Sequence, residues 1–373
     1  MKKELLAAAL VPLVLALSAG QWAPAHAAEK KQIPYAAASN GGFDKDVSKA
    51  LERHMLLGDS FFDRKDYTNA LIEYQSILKF DPNSYKAHFM LGKVLMAMSD
   101  YEEALKEFTA VVNLRPRSSD GHFMMAEALR MQGDYRQAAR QYRQSLKLDK
   151  KNALSHAYLA ECYRTKTWYR PAIAECRKAI SLNSKLVIPH LILGQCDLLD
   201  RQVEHGLAEY KTAIDLAPDD PVVHTRYAQG LGSLGRWSDA LPQFVRATDL
   251  DPSYPEAHIG LSWALANIGK LEEALKEARE AVALAPNSAD GHSNLAAIFQ
   301  KKQDYQSAVT HLRLALSLDP KNPRLHRALG LALNDNGEVN AAIAELLTTS
   351  EMLPNDYEVK LCLQSLMQRR HQN

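Results

Sequence analysis

Residues 85–118 have the sequence YKAHFMLGKVLMAMSDYEEALKEFTAVVNLRPRS, and residues 119–152 have the sequence SDGHFMMAEALRMQGDYRQAARQYRQSLKLDKKN. Aligned without a gap, the two stretches share the order His-Phe-Met, then a small residue, then Asp-Tyr, then Ala. Self-similarity at a fixed period of 34 residues is typical of repeat architectures in which each repeat is one pair of helices. This period therefore predicts the fold class before any single helix is assigned.

The same period extends over most of the 373 residues. It defines nine units between residues 51 and 356, with no insertion or deletion. The closing prolines on this grid are Pro82, Pro116, Pro218, Pro252, Pro286, Pro320 and Pro354, and Lys150 and Ser184 fill the two remaining points. The residue before a proline is driven out of the helical region, so each closing Pro is expected to end the second helix of its unit.

Two places in every unit carry small residues, the eighth and the twentieth. Two antiparallel helices can approach closely only where side chains are small, so we expect these places to lie at the contact within each pair. The eighth place holds Gly58, Gly92, Ala126, Ala160, Gly194, Ala228, Ser262, Ala296 and Gly330. The second helices are expected to begin after N-cap residues, and Asp66, Asp100, Asp134 and Asp304 stand at that position.

The period, the small residues and the closing proline resemble those of the tetratricopeptide-repeat family. The resemblance implies an all-α chain, an α-solenoid built as a right-handed superhelix of nine 34-residue helix-turn-helix units, at 51–84, 85–118, 119–152, 153–186, 187–220, 221–254, 255–288, 289–322 and 323–356. It further implies that the first helices line a concave face that binds peptide segments or helices of partner proteins. Residues 357–373 are predicted to form a capping helix and a polar tail. The sequence departs from the family pattern in having His where Trp is common near the start of the first helix.

The N-terminus predicts export. Lys2 and Lys3 precede the apolar run 5–19, and Ala25-His26-Ala27 forms a small-x-small cleavage site, so residues 1–27 are predicted to be a signal peptide. An uncleaved membrane anchor is the alternative, although the run is shorter than the about 20 residues that span a bilayer. Residues 28–50 are predicted to be a flexible tether. We therefore expect a mature chain without an integral membrane span, in the bacterial periplasm or secreted.

Composition and motifs narrow the function classes. The formal net charge is +1, whereas a nucleic-acid-binding domain is usually strongly basic. The sequence has no glycine-rich phosphate loop, no HExxH motif and no paired-cysteine metal motif. We therefore predict no enzyme, no catalytic residue, no cofactor and no nucleic-acid partner.

Nine histidines recur at the fourth place of the units, which raises the possibility of a metal ladder. Packed helices lie about 8–10 Å apart, whereas the ligands of one zinc ion lie about 2 Å from it. We therefore expect packing histidines and no metal. The histidines are His54, His88, His122, His156, His190, His224, His258, His292 and His326.

Three cysteines, Cys162, Cys176 and Cys196, cluster in neighbouring units. A disulfide between two of them and buried free thiols are both possible, and buried thiols are favoured.

The first helices of units one to five predict an apolar groove. Apolar side chains, several of them adaptable methionines, are expected to face it and to accept an amphipathic helix or an extended segment. The candidate residues are Met55, Phe62, Phe89, Met90, Met96, Phe123, Met124 and Tyr158, together with Arg130 and Arg164. Glu127 and Glu161 stand three residues before the two arginines and are expected to neutralise them. The alternatives are that neighbouring first helices bury these residues against each other, or that the tether occupies the groove.

Charge is segregated along the chain. Residues 119–186 hold thirteen Lys/Arg and six Asp/Glu, a net of +7, and much of this charge falls on second helices. This basic charge could meet an acidic partner or an anionic surface, or it could be an ordinary solvated face.

Some proteins of the family that this sequence resembles bind a C-terminal carboxylate with Lys, Asn and Arg side chains on three successive first helices, an arrangement called a carboxylate clamp. Asn294, Arg324 and Arg327 come nearest to it here. The preceding unit has Ile259 and Trp263 where the clamp has Lys and Asn, so we do not expect a clamp. The predicted function is an exported scaffold or adaptor that binds protein or peptide segments. The alternatives are a chaperone-like holder of unfolded chains and a self-assembling structural protein.

Overall fold

The structure, a computed structural model, describes residues 45–372, and these residues form 19 α-helices and no β-strand. The predicted signal peptide and residues 28–44 of the predicted tether lie outside the described residues. The helices in chain order are α1 Lys45–Asp63, α2 Tyr67–Phe80, α3 Tyr85–Ala97, α4 Tyr101–Leu114, α5 Ser119–Met131, α6 Tyr135–Leu148, α7 Ala153–Thr165, α8 Tyr169–Leu182, α9 Val187–Leu199, α10 Val203–Leu216, α11 Pro221–Ser233, α12 Trp237–Leu250, α13 Pro255–Asn267, α14 Leu271–Leu284, α15 Ala289–Lys301, α16 Tyr305–Leu318, α17 Pro323–Asp335, α18 Val339–Met352 and α19 Tyr357–Gln372. None of these helices is long and apolar enough to cross a bilayer.

The helix boundaries confirm the predicted all-α solenoid of nine helix pairs and a final helix. From α3 onward the first helices begin 34 residues apart, and the second helices keep the same spacing from α2 to α18. The chain divides into two compact units after Asp200. Of the described residues, the first compact unit contains α1–α9 and the second contains α10–α19. Within each unit, successive helices pack mainly on their neighbours in the chain, as expected of stacked repeats.

The small residue at the eighth place is required by a ring on the second helix of the same pair. A Cβ atom on Gly58 would lie 2.6 Å from Cε1 of Tyr74, and one on Gly92 would lie 2.6 Å from Cε1 of Phe108. Tyr74 and Phe108 are fully buried, so neither ring has space to move away. The predicted close approach within each pair is therefore confirmed in these two repeats, and its cause is a buried aromatic ring.

The predicted N-caps are also confirmed. The carboxylate of Asp134 accepts a hydrogen bond from the backbone N–H of Gln137 at 3.0 Å, and Asp66, Asp100 and Asp304 make the same bond to the residue three places on. Each cap satisfies a backbone donor that has no partner within the helix. These bonds fix where α2, α4, α6 and α16 begin.

Both ends of the described region differ from the sequence prediction. Helix α1 begins at Lys45, so residues 45–50 are helical and not part of a tether. The reason is burial, because Val47 packs on the core and Leu51 is buried. Helix α19 continues to Gln372, through most of the predicted polar tail. Gln364 stands in α19 at the place that is small in every full unit, so this helix lacks the small residue that permits close approach of a second helix.

Candidate functional site

Four of the predicted groove residues lie in the core. Met55, Phe123, Met124 and Tyr158 are at most 8% exposed. The ring of Phe123 lies 5.9 Å from that of Tyr142 and 6.3 Å from that of Tyr158. These four residues therefore do not line an open groove, because neighbouring helices bury them against each other, which is the alternative that the sequence left open.

The other predicted apolar residues form a half-buried surface on α1 and α3. Phe62, Phe89, Met90 and Met96 pack on the edge of the core and remain partly exposed. Leu56, at the place in α1 that Met90 occupies in α3, is 64% exposed. We call these five residues the apolar strip. Their partial exposure leaves them available for contact with another polypeptide.

Lys93 lies within the apolar strip. Its Nζ atom is 4.8 Å from the centre of the Phe62 ring, within the range of a cation–π contact. Burial lowers the pKa of Lys93, and the negative charges of Asp59 and Asp63 partly oppose this effect. Asp59 is engaged elsewhere, since it accepts the Tyr74 hydroxyl at 2.7 Å. Within residues 45–372, Lys93 has no ion pair, so its partly desolvated charge is available to a carboxylate on a binding partner.

Arg130 does not face a groove but is buried between two carboxylates. Its Nη2 donates to Oε2 of Glu127 at 3.0 Å, and its Nη1 donates to Oε2 of Glu161 at 3.4 Å. Glu127 also accepts the hydroxyl of Tyr142, and the guanidinium carbon of Arg130 lies 4.6 Å from the centre of the Tyr158 ring. Burial alone lowers the pKa of Arg130, but Glu127 and Glu161 outweigh burial and hold this pKa well above its ordinary value.

This cluster corrects the predicted pairing of Glu161. The sequence suggested that Glu161 neutralises Arg164 three residues later, whereas Glu161 binds Arg130 of the preceding repeat. Arg164 is half-buried and makes no ion pair within the described part of the chain. The Glu127–Arg130–Glu161 cluster therefore joins α5 to α7, and Arg164 alone of the two predicted groove arginines keeps solvent access.

Comparison with known proteins supports the repeat assignment independently. A family model described as a tetratricopeptide repeat matches residues 89–135 and 228–289, and another with the same description matches residues 119–152. A third, described as a TPR repeat, matches residues 300–337. The match over residues 119–152 coincides with the helix pair α5 and α6. The chain belongs to the tetratricopeptide-repeat family. No curated protein matches its sequence.

Several solved structures share this fold. A tetratricopeptide repeat protein from Parabacteroides merdae is 14% identical with a TM-score of 0.60, over 67% of this chain and 99% of the other. The APC/C hetero-tetramer Cut9–Hcn1 gives 15% identity and a TM-score of 0.59, over 86% and 69%. Yeast Tom70 gives 16% identity and a TM-score of 0.50, over 88% and 90%. At these identities the similarity establishes the fold alone.

The repeated histidines of this tetratricopeptide-repeat protein are structural links. The Nδ1 atom of His88 bonds Glu107 of the second helix at 2.5 Å, and its Nε2 atom bonds the carbonyl oxygen of Pro82 at 2.9 Å. The same two bonds, to the residue 19 places later and to the carbonyl six places earlier, recur at His122, His156, His224, His258, His292 and His326. Each histidine thus joins its own pair to the preceding loop. Across residues 45–372 no group of three or more potential ligand side chains is placed to hold a metal ion.

One link differs, because His292 meets another histidine. Its Nδ1 lies 3.2 Å from Nδ1 of His311, where other repeats carry Glu or Gln. His292 Nε2 donates to the carbonyl oxygen of Pro286, so the neutral ring accepts at Nδ1 and His311 donates. The pKa of His311 is lowered by burial and by the nearby His292 and Arg279. The pKa of His88, in contrast, is raised, because its hydrogen bond to Glu107 outweighs burial.

These two shifts predict opposite pH dependence. The stabilisation from His88 is complete below its ordinary pKa of 6.5 and is lost as pH rises through the raised value. The stabilisation from neutral His311 is present above pH 6.5 and is lost as pH falls through the lowered pKa.

We expect His311→Glu to raise the free energy of unfolding at pH 5 by about 1 kcal/mol, because a carboxylate replaces a histidine whose charged form is disfavoured. The measurement is urea unfolding, with His311→Gln as the uncharged control. Equal losses between pH 8 and pH 5 in wild type and His311→Gln would contradict the assignment.

The remaining candidates are engaged in the fold. Cys162, Cys176 and Cys196 are buried, and burial raises the pKa of the Cys162 thiol. Asn294 is buried and accepts the Ser262 hydroxyl at 2.8 Å. Arg327 pairs with Asp356 and Glu358. The residues that come nearest to a carboxylate clamp are therefore bound within the fold.

Proposed function

We propose that this protein is a scaffold that binds an apolar polypeptide segment on the apolar strip of α1 and α3, with a carboxylate of that segment paired to Lys93. The observation that carries the proposal is a partly desolvated cation over the half-buried ring of Phe62, on a helix that places Phe89, Met90 and Met96 three or four residues away. Met90 and Met96 are unbranched and adapt to different partner shapes. The repeat fold supports a role in protein–protein interaction, and the proposal assigns no catalytic role.

We further propose that the scaffold works in the cell envelope after export. The support for this setting is the order of residues 1–27, in which a positive start, an apolar run and a small-x-small site follow one another. The test is to express the full-length chain in a bacterium, fractionate the cells and determine the N-terminus. A periplasmic protein that begins at Ala28 supports the proposal, and a cytoplasmic protein with an intact N-terminus contradicts it.

The binding site is tested by placing a photo-cross-linking amino acid at Leu56 or Met90, with Ile72 on α2 as the control position. Ile72 is also exposed, at 52%, but lies on a second helix. We expect cross-links from the strip positions to one partner segment that is apolar and contains Asp or Glu, and none to that segment from Ile72. Cross-links to many unrelated segments would support a chaperone-like holder instead, and cross-links to the same chain would support self-assembly.

The contribution of the strip is tested with the variant Leu56→Ser, Met90→Ser, Lys93→Glu. Binding anchors of this kind contribute 2 kcal/mol or more each, so we expect the affinity for the cross-linked segment to fall by roughly 100-fold or more. The matched control is Ile72→Ser, Leu114→Ser, Lys79→Glu, which makes the same chemical changes at exposed positions on α2 and α4. Equal affinity of the two variants would contradict the proposal. Circular dichroism establishes that both keep wild-type helicity.

A further inference from the structure

The outer surface of α6 and α8 carries cations that the fold does not neutralise. Helix α6 contains four cationic side chains and no Asp or Glu, and the four are exposed. Helix α8 adds two exposed arginines. None of the six makes an ion pair within residues 45–372. We call this set the basic face, and it consists of Arg136, Arg140, Arg143, Lys147, Arg170 and Arg177.

Several cations on other second helices are paired, and the helices that carry unpaired cations also carry carboxylates. Lys106 on α4 bonds Glu103 of the same helix at 2.5 Å, and Arg246 on α12 bonds Asp219 at 3.1 Å. Arg313 on α16 bonds Glu338 at 3.1 Å. An ordinary solvated face of this protein therefore mixes both signs of charge. The basic face does not, and it keeps its full positive potential toward solvent.

An exposed tryptophan stands at the turn between α7 and α8. Trp168 occupies the N-cap place that Asp holds in four other repeats, makes no side-chain cap bond, and is 58% exposed. The preceding residue, Thr167, has a φ of 61°, and it is the only β-branched residue among the five non-glycine residues with positive φ in the described chain. A missing cap and a strained β-branched residue each cost stability. The turn is therefore poorly optimised for folding alone.

The aromatic residues of this turn lie among the cations. The ring of Trp168 is 5.9 Å from that of Tyr163. Burial raises the pKa of Tyr163, while the positive charges of Arg143 on α6 and Lys178 on α8 act to lower it. Tyr163 thus lies close enough to both helices to sense their charges. The exposed tryptophan occupies the N-cap place of α8 and stands two residues before Arg170, so it adjoins the part of the basic face that α8 carries.

We propose that this surface binds the anionic headgroups of a lipid bilayer. The cations on α6 recur at intervals of four, three and four residues and so extend over about 16 Å of the helix, which suits a broad negative surface more than a single carboxylate. Tryptophan prefers the boundary between headgroups and hydrocarbon, and each cation near an anionic membrane adds to binding. This surface lies apart from the apolar strip, so a membrane-bound scaffold keeps its strip available to a partner.

The test is sedimentation of the full chain with vesicles of phosphatidylglycerol and phosphatidylcholine, compared with vesicles of phosphatidylcholine alone. We expect binding only to the anionic vesicles, and we expect Arg136→Glu, Arg140→Glu, Arg143→Glu to weaken it by on the order of 100-fold. The control variant Lys49→Glu, Lys79→Glu, Arg117→Glu makes the same change in net charge at exposed positions outside the basic face. Equal weakening by both variants would overturn the proposal.

Trp168→Asp separates binding from folding. Aspartate restores the cap seen in four other repeats, so we expect the melting temperature to rise by about 2–4 °C. Loss of the aromatic ring is expected to weaken vesicle binding by roughly threefold to tenfold. Undiminished vesicle binding by this more stable variant would overturn the role of the tryptophan.

Two competitors identify the source of the negative charge. Soluble glycerol phosphate at millimolar concentration is expected not to displace the vesicles, because a single headgroup lacks the extended array. Full displacement by glycerol phosphate would overturn the proposal in favour of a small-anion site. Binding of poly-glutamate with no binding of anionic vesicles would likewise overturn it in favour of an acidic polypeptide.

Discussion

Arg130→Met is expected to lower the free energy of unfolding by about 3–5 kcal/mol, because it leaves two buried carboxylates without their cation. Glu127 and Glu161 are each 1% exposed, and Arg130 is the residue that pairs with both. Methionine fills a similar volume, so the loss is electrostatic and not a packing defect. The measurement is urea unfolding followed by circular dichroism.

The matched control is Arg164→Met. Arg164 occupies the same place one repeat later but is half-buried and has no ion pair among the described residues, so we expect a change below about 1 kcal/mol. A triple variant that adds Glu127→Gln and Glu161→Gln to Arg130→Met is expected to recover most of the loss, because the buried charges are removed together. Equal effects of Arg130→Met and Arg164→Met would contradict the electrostatic account.

Gly260→Ala is expected to destabilise the protein by about 1–3 kcal/mol through overpacking. A methyl group on Gly260 would overlap the ring of Phe244, and this ring is 1% exposed and cannot move aside. Alanine favours a helix over glycine by about 1 kcal/mol, which offsets part of the clash. The measurement is the shift of the thermal and urea midpoints.

Gly291→Ala is the control with the opposite sign. A Cβ on Gly291 would make only ordinary contacts, the nearest at 3.4 Å to Ser288, so we expect a gain of about 0.5–1 kcal/mol. Phe244→Leu placed in the Gly260→Ala background is expected to relieve the overlap and recover part of the stability. Stabilisation by Gly260→Ala would show that Phe244 has room to move.

The two proposed surfaces make different demands on the fold. The apolar strip uses first helices α1 and α3, where half-buried side chains surround Lys93. The basic face uses second helices α6 and α8, whose cations are exposed. Because the strip and the basic-face variants change different helices, failure of one experiment leaves the other proposal intact. Together they describe a scaffold that binds a membrane with one surface and a polypeptide with another.

The sequence by itself determined the number of helix pairs, their 34-residue spacing and the four aspartate caps. These features depend on contacts within one 34-residue unit, such as Asp134 capping α6 or Gly92 meeting Phe108, and local contacts repeat with the sequence. The sequence also indicated the positions of the strip residues Phe62, Met90 and Met96. The residue that stands 19 places after each repeated histidine is Glu or Gln in eight units and His311 in one, and this pattern is a signal from which the links could have been predicted.

Only the tertiary structure decided which first-helix residues are buried. Met55, Phe123, Met124 and Tyr158 share their places with residues of the strip, yet neighbouring helices enclose them. Likewise Arg130 and Arg164 have the same local sequence environment, but Arg130 reaches Glu161 of the next repeat. The physical reason is that the distance between successive repeats depends on the side chains of both. A pattern read within one repeat therefore cannot distinguish a buried face from an open one.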